Sequence, residues 1–282
     1  MNNLLKSFFI ALFPMFTIYI LVDSIIYLFQ YDITYRYIGR IIIAAAIILF
    51  FANLFIISQA RTSRNLILYT FAIVLGLAVS FLLGGNIEEH EMLDASLSLI
   101  LLFCWFIYLK WYSVLDRNET SILKEGAFLK SFELEDSNGK KVRSSSFLGK
   151  PSIYLFYRGN WCPLCMAQIK EIAAQYKELE ERGVNMVFVS PQPHKYSENL
   201  AKKYNLRFKF LTDTDNKVAK QLGIFDKFGL PVGFQMMGYD SDTVLPTVII
   251  TNSSGKIIFL DLTDNYRVRP EPDTFLLVID SQ

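Results

Sequence analysis

Phe156-Tyr157-Arg158-Gly159-Asn160-Trp161-Cys162-Pro163-Leu164-Cys165 is the stretch around which the rest of this chain is organised. Just upstream, Ser152 to Tyr157 is the kind of apolar run that fills a buried strand. Just downstream, Met166, Ile169, Ile172, Ala173, Tyr176 and Leu179 fall on one helical face. Lys170, Glu171, Lys177, Glu178 and Glu181 take the other, so Met166 to Arg182 predicts an amphipathic helix closed by Gly183. The two cysteines therefore stand on the first turn of a helix that leaves the end of a strand. Backbone N–H groups there lack intrahelical partners and the helix dipole is positive, so a thiolate is favoured over a thiol. Pro163 suits the first turn, where its missing N–H costs nothing. Arg158 adds positive charge.

Cys-x-x-Cys in this strand–helix setting signals thioredoxin-like redox chemistry. A zinc site needs about four ligands. The remaining candidates, Cys104, His90 and His194, have no paired spacing. Haem attachment needs a histidine after the second cysteine, where Met166 stands. Three cysteines in 282 residues exclude a disulfide-rich scaffold. A net charge of +1 gives no bulk electrostatic case for nucleic acid. No metal and no cofactor is expected.

Outward from the motif the composition splits. Hydrophobic residues make up 52% of the chain and mean hydropathy is +0.30, with the apolar and aromatic excess in the first half. Leu5–Leu28, Ile38–Ile57, Leu66–Leu83 and Ala95–Leu115 are each apolar over roughly the 20 residues that a membrane-spanning helix needs. The expected organisation is a four-helix transmembrane domain over 1–116, a linker over 117–127 and an α/β domain over 128–282. Lys6, Arg61, Arg64, Lys110, Arg117 and Lys124 fall on one side of such a domain. The other side has Arg36 and Arg40 in the first loop, and the acidic run Glu88-Glu89-His90-Glu91 in the third. This bias puts both termini, and the redox domain, in the cytoplasm, with an extracytoplasmic redox domain as the alternative. Trp105, Tyr108, Trp111 and Tyr112 suit an interfacial aromatic belt. Asp23 lies at the edge of the first span, as an interfacial residue or a functional acid. Cys104 reads as a plain hydrophobic cysteine; one thiol cannot form a disulfide relay within the membrane domain.

In the second half, Phe128 to Arg143 reads as a hairpin turning at Asp136-Ser137-Asn138-Gly139. Strands are expected over Val184–Ser190 and Arg207–Thr212, and helices over Tyr196–Tyr204 and Asn216–Leu222. A last hairpin, Val248–Thr251 and Lys256–Leu262, precedes a helix from Pro272. Strands alternating with helices and then a terminal hairpin indicate a mixed central sheet covered by helices. Leu245-Pro246-Thr247 enters a strand where thioredoxin-like folds place a cis-proline against the cysteines, so a cis Pro246 is expected by analogy.

From about Phe128 onward the chain resembles the alkyl hydroperoxide reductase/thiol-specific antioxidant (AhpC/TSA) family, the peroxiredoxins, within the thioredoxin-like superfamily. The resemblance rests on Gly149-Lys150-Pro151, the Phe156–Cys165 motif, Val189-Ser190-Pro191, Leu211 to Ala219, Leu245-Pro246-Thr247 and Asp264 to Pro272. The membrane half resembles no family. Aligned without gaps on the peroxiredoxin signature, Cys165 takes the peroxidatic place and Cys162 that of a threonine. The resemblance thus implies that Cys165 attacks peroxide and Cys162 resolves the sulfenic acid, whereas thioredoxin logic has Cys162 attack first. Arg158, Trp161, Pro163, Pro246 and Thr247 are the supporting residues that the matched motifs imply. Three family positions differ: Cys162 for the threonine, Gln168 for a glutamate, and Leu245 for an arginine. The segment Phe225 to Ser241, unpatterned and rich in Phe and Met, is either a wall over the site or an ordinary loop.

The reading that follows is a membrane-anchored thiol oxidoreductase reducing peroxides through Cys162 and Cys165. Its expected partners are the lipid bilayer and a thioredoxin- or glutaredoxin-type electron donor. The alternatives are a dithiol–disulfide oxidoreductase acting on proteins, and a non-enzymatic redox sensor or partner-binding membrane protein.

Overall fold

The computed structural model describes residues 2–31, 33–85, 92–117 and 122–281. The acidic run Glu88–Glu91 and residues 118–121 of the expected linker lie outside these. The chain forms two compact units. One comprises Phe8–Ser58 and Thr62–Val114; the other comprises Met1–Ser7, Gln59–Arg61 and Leu115–Gln282.

The first unit is helical. Its helices are α1 (Asn2–Gln30), α2 (Tyr35–Ile56), α3 (Ile67–Ala78) and α4 (Met92–Ile107). The last two run on as π-helical turns over Val79–Leu83 and Tyr108–Tyr112. Among the described residues, three helices are long and apolar enough to cross a membrane: Asn2–Gln30, Tyr35–Ile56 and Asp94–Tyr112, with mean hydropathies of 2.1, 2.3 and 1.6. The remaining expected span is a shorter apolar helix, Ile67–Leu83. At about 1.5 Å per residue it covers roughly 25 Å, a few ångströms less than a hydrocarbon core of about 30 Å. Helices α2 and α3 meet at glycines. A Cβ on Gly39 would lie 2.4 Å from the Gly76 carbonyl oxygen, so the contact exists because neither residue has a side chain.

Arg36 and Arg40 do not sit in a loop. Both belong to α2 and are buried. The Arg40 guanidinium reaches Asp23 at 2.6 Å, Asp94 at 2.7 Å and the Ser24 hydroxyl at 2.7 Å, and Tyr37 donates to Asp94 at 2.7 Å. Asp23 is therefore an ion-pair partner inside this unit. Trp105 and Tyr108 are likewise buried, Trp105 against Phe50 and Tyr108 against Phe51. The Trp105 indole N–H donates to Thr70 Oγ1 at 2.9 Å.

The second unit holds a seven-stranded sheet. Its strands are β1 (Glu133–Glu135), β2 (Lys141–Arg143), β3 (Ser152–Phe156), β4 (Asn185–Ser190), β5 (Lys209–Thr212), β8 (Thr247–Thr251) and β9 (Ile257–Asp261). The spatial order is β2-β1-β5-β4-β3-β8-β9. β3, β4 and β5 are parallel and the others antiparallel, giving the expected mixed sheet. A separate pair, β6 (Phe225–Asp226) with β7 (Thr243–Val244), closes the unpatterned segment at its base. The helices are α5 (Pro163–Ala174), α6 (Tyr176–Glu181), α7 (His194–Tyr204), α8 (Lys217–Leu222) and α9 (Pro272–Asp280). The single helix expected from Met166 to Arg182 is two, broken where Gln175 leaves helical geometry at ψ 17°.

The parallel strands are buried along their length because both faces are covered, which is why β3 reads as a continuous apolar run. Tyr154, Phe156, Val187, Val189, Leu211 and Ile249 form the heart of one core layer. In the β1–β2 turn, Asp136 Oδ1 accepts the backbone N–H groups of Asn138 and Lys140, each at 2.9 Å, as the turn signal implied.

Candidate active site

Strand β3 is the rail on which the site is mounted. The ladder continues one residue past it, with Tyr157 N–H bonded to the Val189 carbonyl at 2.9 Å. The chain then turns through Arg158–Trp161 and starts α5 with Cys162 as N-cap and Pro163 in the first turn. Gly159 is required in that turn. It has φ +150°, and a Cβ there would stand 2.6 Å from the Trp161 indole nitrogen.

Cys162 and Cys165 are both free thiols and both buried, with their sulfurs 2.7 Å apart. Cys162 Sγ accepts the Cys165 backbone N–H at 3.4 Å. Above the pair lies Arg269, itself buried. Its Nη2 is 3.5 Å from Cys165 Sγ, its Nη1 donates to Gln168 Oε1 at 2.8 Å, and its Nε donates to the Tyr266 carbonyl at 3.1 Å.

These surroundings separate the two thiols. For Cys165, burial opposes ionisation but is outweighed. The Cys162 S–H bonded to it, the Arg269 charge, the Arg158 backbone N–H and the Arg158 charge together pull it down to about 5. For Cys162, burial and then the neighbouring Cys165 push the thiol up. The surroundings thus favour the negative charge on Cys165 and the proton on Cys162. The helix-start argument favours a thiolate at either cysteine, and thioredoxin logic has Cys162 attack first. Burial and the placement of two arginines reverse that order.

Arg158 acts on the pair from a fixed position. Its guanidinium is held by the Gly229 carbonyl, lies 3.6 Å from buried Asp226, and sits 5.0 Å from the Trp161 ring. The Trp161 ring in turn meets Phe234 at 5.7 Å. Tyr239 donates to Asn160 Oδ1, and Thr243 Oγ1 donates to the Arg158 carbonyl at 3.0 Å. The segment Phe225 to Ser241 is therefore tied to the cysteine loop at several points, as a wall and not a free loop. On the other side, buried Gln192 joins the loop to α7. Its Oε1 accepts the Asn160 N–H at 2.9 Å, and its Nε2 donates to the Tyr157 hydroxyl at 2.9 Å and to Ser197 at 3.2 Å.

Pro246 and Thr247 are placed differently from the expectation. No peptide bond among the described residues is cis, so Pro246 is an ordinary trans entry into β8. The extended path from β7 into β8 needs no reversal there, since Leu245 N–H is already bonded to the Ile224 carbonyl at 2.8 Å. Thr247 pairs across the sheet from Phe156. Its hydroxyl donates to the Leu245 carbonyl at 2.9 Å and accepts from Arg117 Nη1 at 3.2 Å, and Arg117 Nη2 donates to the Pro246 carbonyl. Both residues brace the end of the sheet, and their polar contacts go to backbone and Arg117. Leu245, in the family's arginine place, is core. Arg269, which stood unremarked within the matched Asp264–Pro272 stretch, brings the cation from a different part of the chain.

Parts of this chain are similar to known proteins. Residues 126–260 match the model of the AhpC/TSA family. The chain is 30% identical over 161 residues to the thiol-disulfide oxidoreductase ResA of Bacillus subtilis, covering 57% of this chain and 78% of that protein. It is 33% identical over 119 residues to a chloroplastic peroxiredoxin Q of Populus jackii, covering 42% of this chain and 56% of that one. Among solved structures, the peroxidoxin BcpB of Mycobacterium tuberculosis aligns at 20% identity with TM-score 0.46, over 56% of this chain and 97% of that chain. A peroxiredoxin-like protein of Aquifex aeolicus aligns at 13% identity with TM-score 0.48, over 57% and 89%. Arg269 lies beyond the residues that the family model matches. With a mixed sheet, a strand–loop–helix carrying two adjacent thiols, and these relatives, the chain belongs to the AhpC/TSA family and is a thiol-dependent oxidoreductase of thioredoxin-like, peroxiredoxin-like fold.

Proposed function

We propose that this chain is a membrane-anchored thiol peroxidase in which Cys165 is the attacking and Cys162 the resolving cysteine. The observation that carries this reading is Arg269 Nη2 3.5 Å from Cys165 Sγ, a placement that favours the thiolate on Cys165 over Cys162. The Cys165 thiolate attacks the distal oxygen of a hydroperoxide, the O–O bond breaks, and the alkoxide leaves. Arg269 and Arg158 offer positive charge to that developing anion, in place of the family groups at positions 162, 168 and 245. The alkoxide takes the Cys162 proton. The resulting Cys162 thiolate attacks the Cys165 sulfenic acid, a disulfide forms, and hydroxide leaves as water after protonation. A thioredoxin- or glutaredoxin-type dithiol then reduces the disulfide by exchange. Anchoring makes lipid hydroperoxides the substrates nearest to hand.

A second reading is favoured by the proximity of the sulfurs and by the ResA relative: a dithiol–disulfide oxidoreductase acting on proteins. Turnover of hydrogen peroxide and of an insulin-type disulfide by the full chain, each with a thioredoxin recycling system, separates the two. Peroxide consumption with one added oxygen trapped at Cys165 in Cys162→Ser supports the peroxidase. Disulfide reduction without peroxide consumption overturns it.

The proposed location is the cell membrane, with both termini in the cytoplasm, from the Lys6, Arg61, Arg64, Lys110, Arg117 and Lys124 bias. Ser281 is exposed near the C-terminus. Ser281→Cys should resist a membrane-impermeant maleimide in intact cells and react after lysis; rapid labelling before lysis would place the redox unit outside.

A further inference from the structure

The turn from Asp226 to Leu230 holds Arg158 beside the redox pair. The Arg158 guanidinium is bonded to the Gly229 carbonyl and lies 3.6 Å from Asp226 Oδ2. The turn is a tight one. Phe228 is left-handed at φ +57°, a conformation that costs a bulky side chain energy unless neighbours hold it. Gly229 passes so close to Asp226 that a Cβ there would overlap the carboxylate. Asp242 Oδ1 fixes the turn from one side by accepting the Phe228 N–H at 2.9 Å. Further fixed points come from the other end of the sequence. Asn3 Nδ2 donates to Asp226 Oδ1 at 2.9 Å and to the Lys227 carbonyl at 3.0 Å. The buried Ser7 hydroxyl donates to the Leu230 carbonyl, and the Ser7 carbonyl accepts the Val232 N–H at 3.4 Å. Met1–Ser7 accordingly belong to the redox unit, although Asn3 and Ser7 lie on the first two turns of α1. The Asp226 carboxylate is thus a link with two ends: Oδ1 receives Asn3 and Oδ2 faces Arg158. A buried carboxylate that loses a donor turns towards another partner, and its paired cation moves with it.

We propose that Asn3 and Ser7 are positioning residues for the redox pair: they grip the Asp226–Leu230 turn and, through Asp226 and Gly229, set where the Arg158 charge stands. The start of the apolar helix α1 is then a working part of the redox site as well as the head of a membrane segment. The charge it places acts on both sulfurs, since Arg158 favours the ionised form of Cys162 and of Cys165 alike. Other charges surround the link. Lys6, Arg117 and Asp242 act on Asp226, and Arg269 acts on the pair. None of these is altered by neutral substitutions at positions 3 and 7, so a change in thiol acidity there reports the position of Arg158.

The proposal rests on the Cys162–Cys165 couple of the preceding section. Iodoacetamide alkylation of the reduced full chain in detergent, followed against pH and located by tandem mass spectrometry, tests it. In the wild type the midpoint at Cys165 is expected at about 5. Asn3→Ala/Ser7→Ala should raise it by about one unit, the lower end of what displacing one nearby opposite charge does. Alkylation at about pH 5.5 is then roughly threefold slower. Arg158→Met should raise the midpoint as well, and adding Asn3→Ala/Ser7→Ala to it should raise it no further, because the charge they position is gone. Should Arg158→Met not fold with Asp226 left unpaired, Arg158→Met/Asp226→Asn removes the buried pair as a whole and serves as the same background. An unmoved midpoint in Asn3→Ala/Ser7→Ala would overturn the inference. So would an equal rise with and without Arg158, which is what a general loosening of the fold produces. Low-pH alkylation at Cys162 in place of Cys165, with a midpoint that still moves only when Arg158 is present, supports the inference while overturning the assignment of Cys165 as the attacking thiolate.

Discussion

Cys165→Ser is expected to abolish hydroperoxide turnover, and Cys162→Ser to leave one fast turnover that then stops. The asymmetry follows from where the proton sits. Cys165 is the thiolate, and a serine hydroxyl in its place stays protonated throughout the accessible pH range, so no nucleophile remains. The loss should be roughly 10⁴-fold or more, the scale on which deleting an enzyme nucleophile acts. In Cys162→Ser the attacking sulfur and Arg269 are intact, but no thiol stands 2.7 Å away to displace the oxidised oxygen. One equivalent of peroxide is then consumed per chain and the sulfenic acid accumulates. Stopped-flow peroxide consumption with mass analysis of the quenched protein distinguishes the variants. The opposite pattern, with Cys165→Ser retaining a single turnover, would move the attack to Cys162 and with it the whole assignment.

Arg269→Met should act twice, and pH separates the two effects. The first is on the thiolate. Removing an opposite charge 3.5 Å from the sulfur is expected to raise the Cys165 thiol by roughly two units from its value of about 5. A group with a depressed pKa is ionised above that pKa and loses its charge as pH falls through it. Wild-type reactivity should therefore be flat from about pH 7 upward and fall only towards pH 5, whereas the variant should already be losing reactivity near pH 7. At about pH 6 this alone is close to a tenfold deficit. The second effect survives at higher pH, where the thiolate is restored. A donor aimed at the leaving alkoxide is missing, and the rate should remain roughly 10²-fold below wild type. Iodoacetamide alkylation against pH reads the first effect, because alkylation needs the thiolate but no oxyanion donor. Peroxide kinetics at about pH 8 read the second. Should alkylation and peroxide profiles both match the wild type, Arg269 has only a packing role.

Much of the redox unit is legible along the chain because it rests on local rules. The apolar run of β3, the Asp136 turn, Pro163 in the first turn of α5 and the final hairpin all follow from residues within a few positions of one another. The cysteine pair was legible for the same reason: its spacing places both sulfurs on one helical turn. The helix break at Gln175 was not, because the amphipathic face continues unbroken across it.

In the helical unit, hydropathy located the helices but not their contents. Arg36 and Arg40 read as loop charges since arginines near a span end normally face water. Arg40 stays inside because Asp23 and Asp94, from two other helices, converge on it. The apolar run Leu66–Leu83 matches the helix over Ile67–Leu83 to within one residue, with Leu66, in a left-handed conformation, just before its start.

By itself the sequence determined that this protein has an apolar helical part, an α/β part with a mixed sheet, and two thiols on one turn at the end of a buried strand. Each of these depends on residue type and short-range periodicity. Only the tertiary structure decided which thiol is ionised. Helix-start geometry favours a thiolate at either cysteine, and the choice turns on Arg269, 104 positions from Cys165 in sequence. Burial strengthens that charge's hold on the sulfur, and where the segment after β9 runs is settled by packing over the whole sheet.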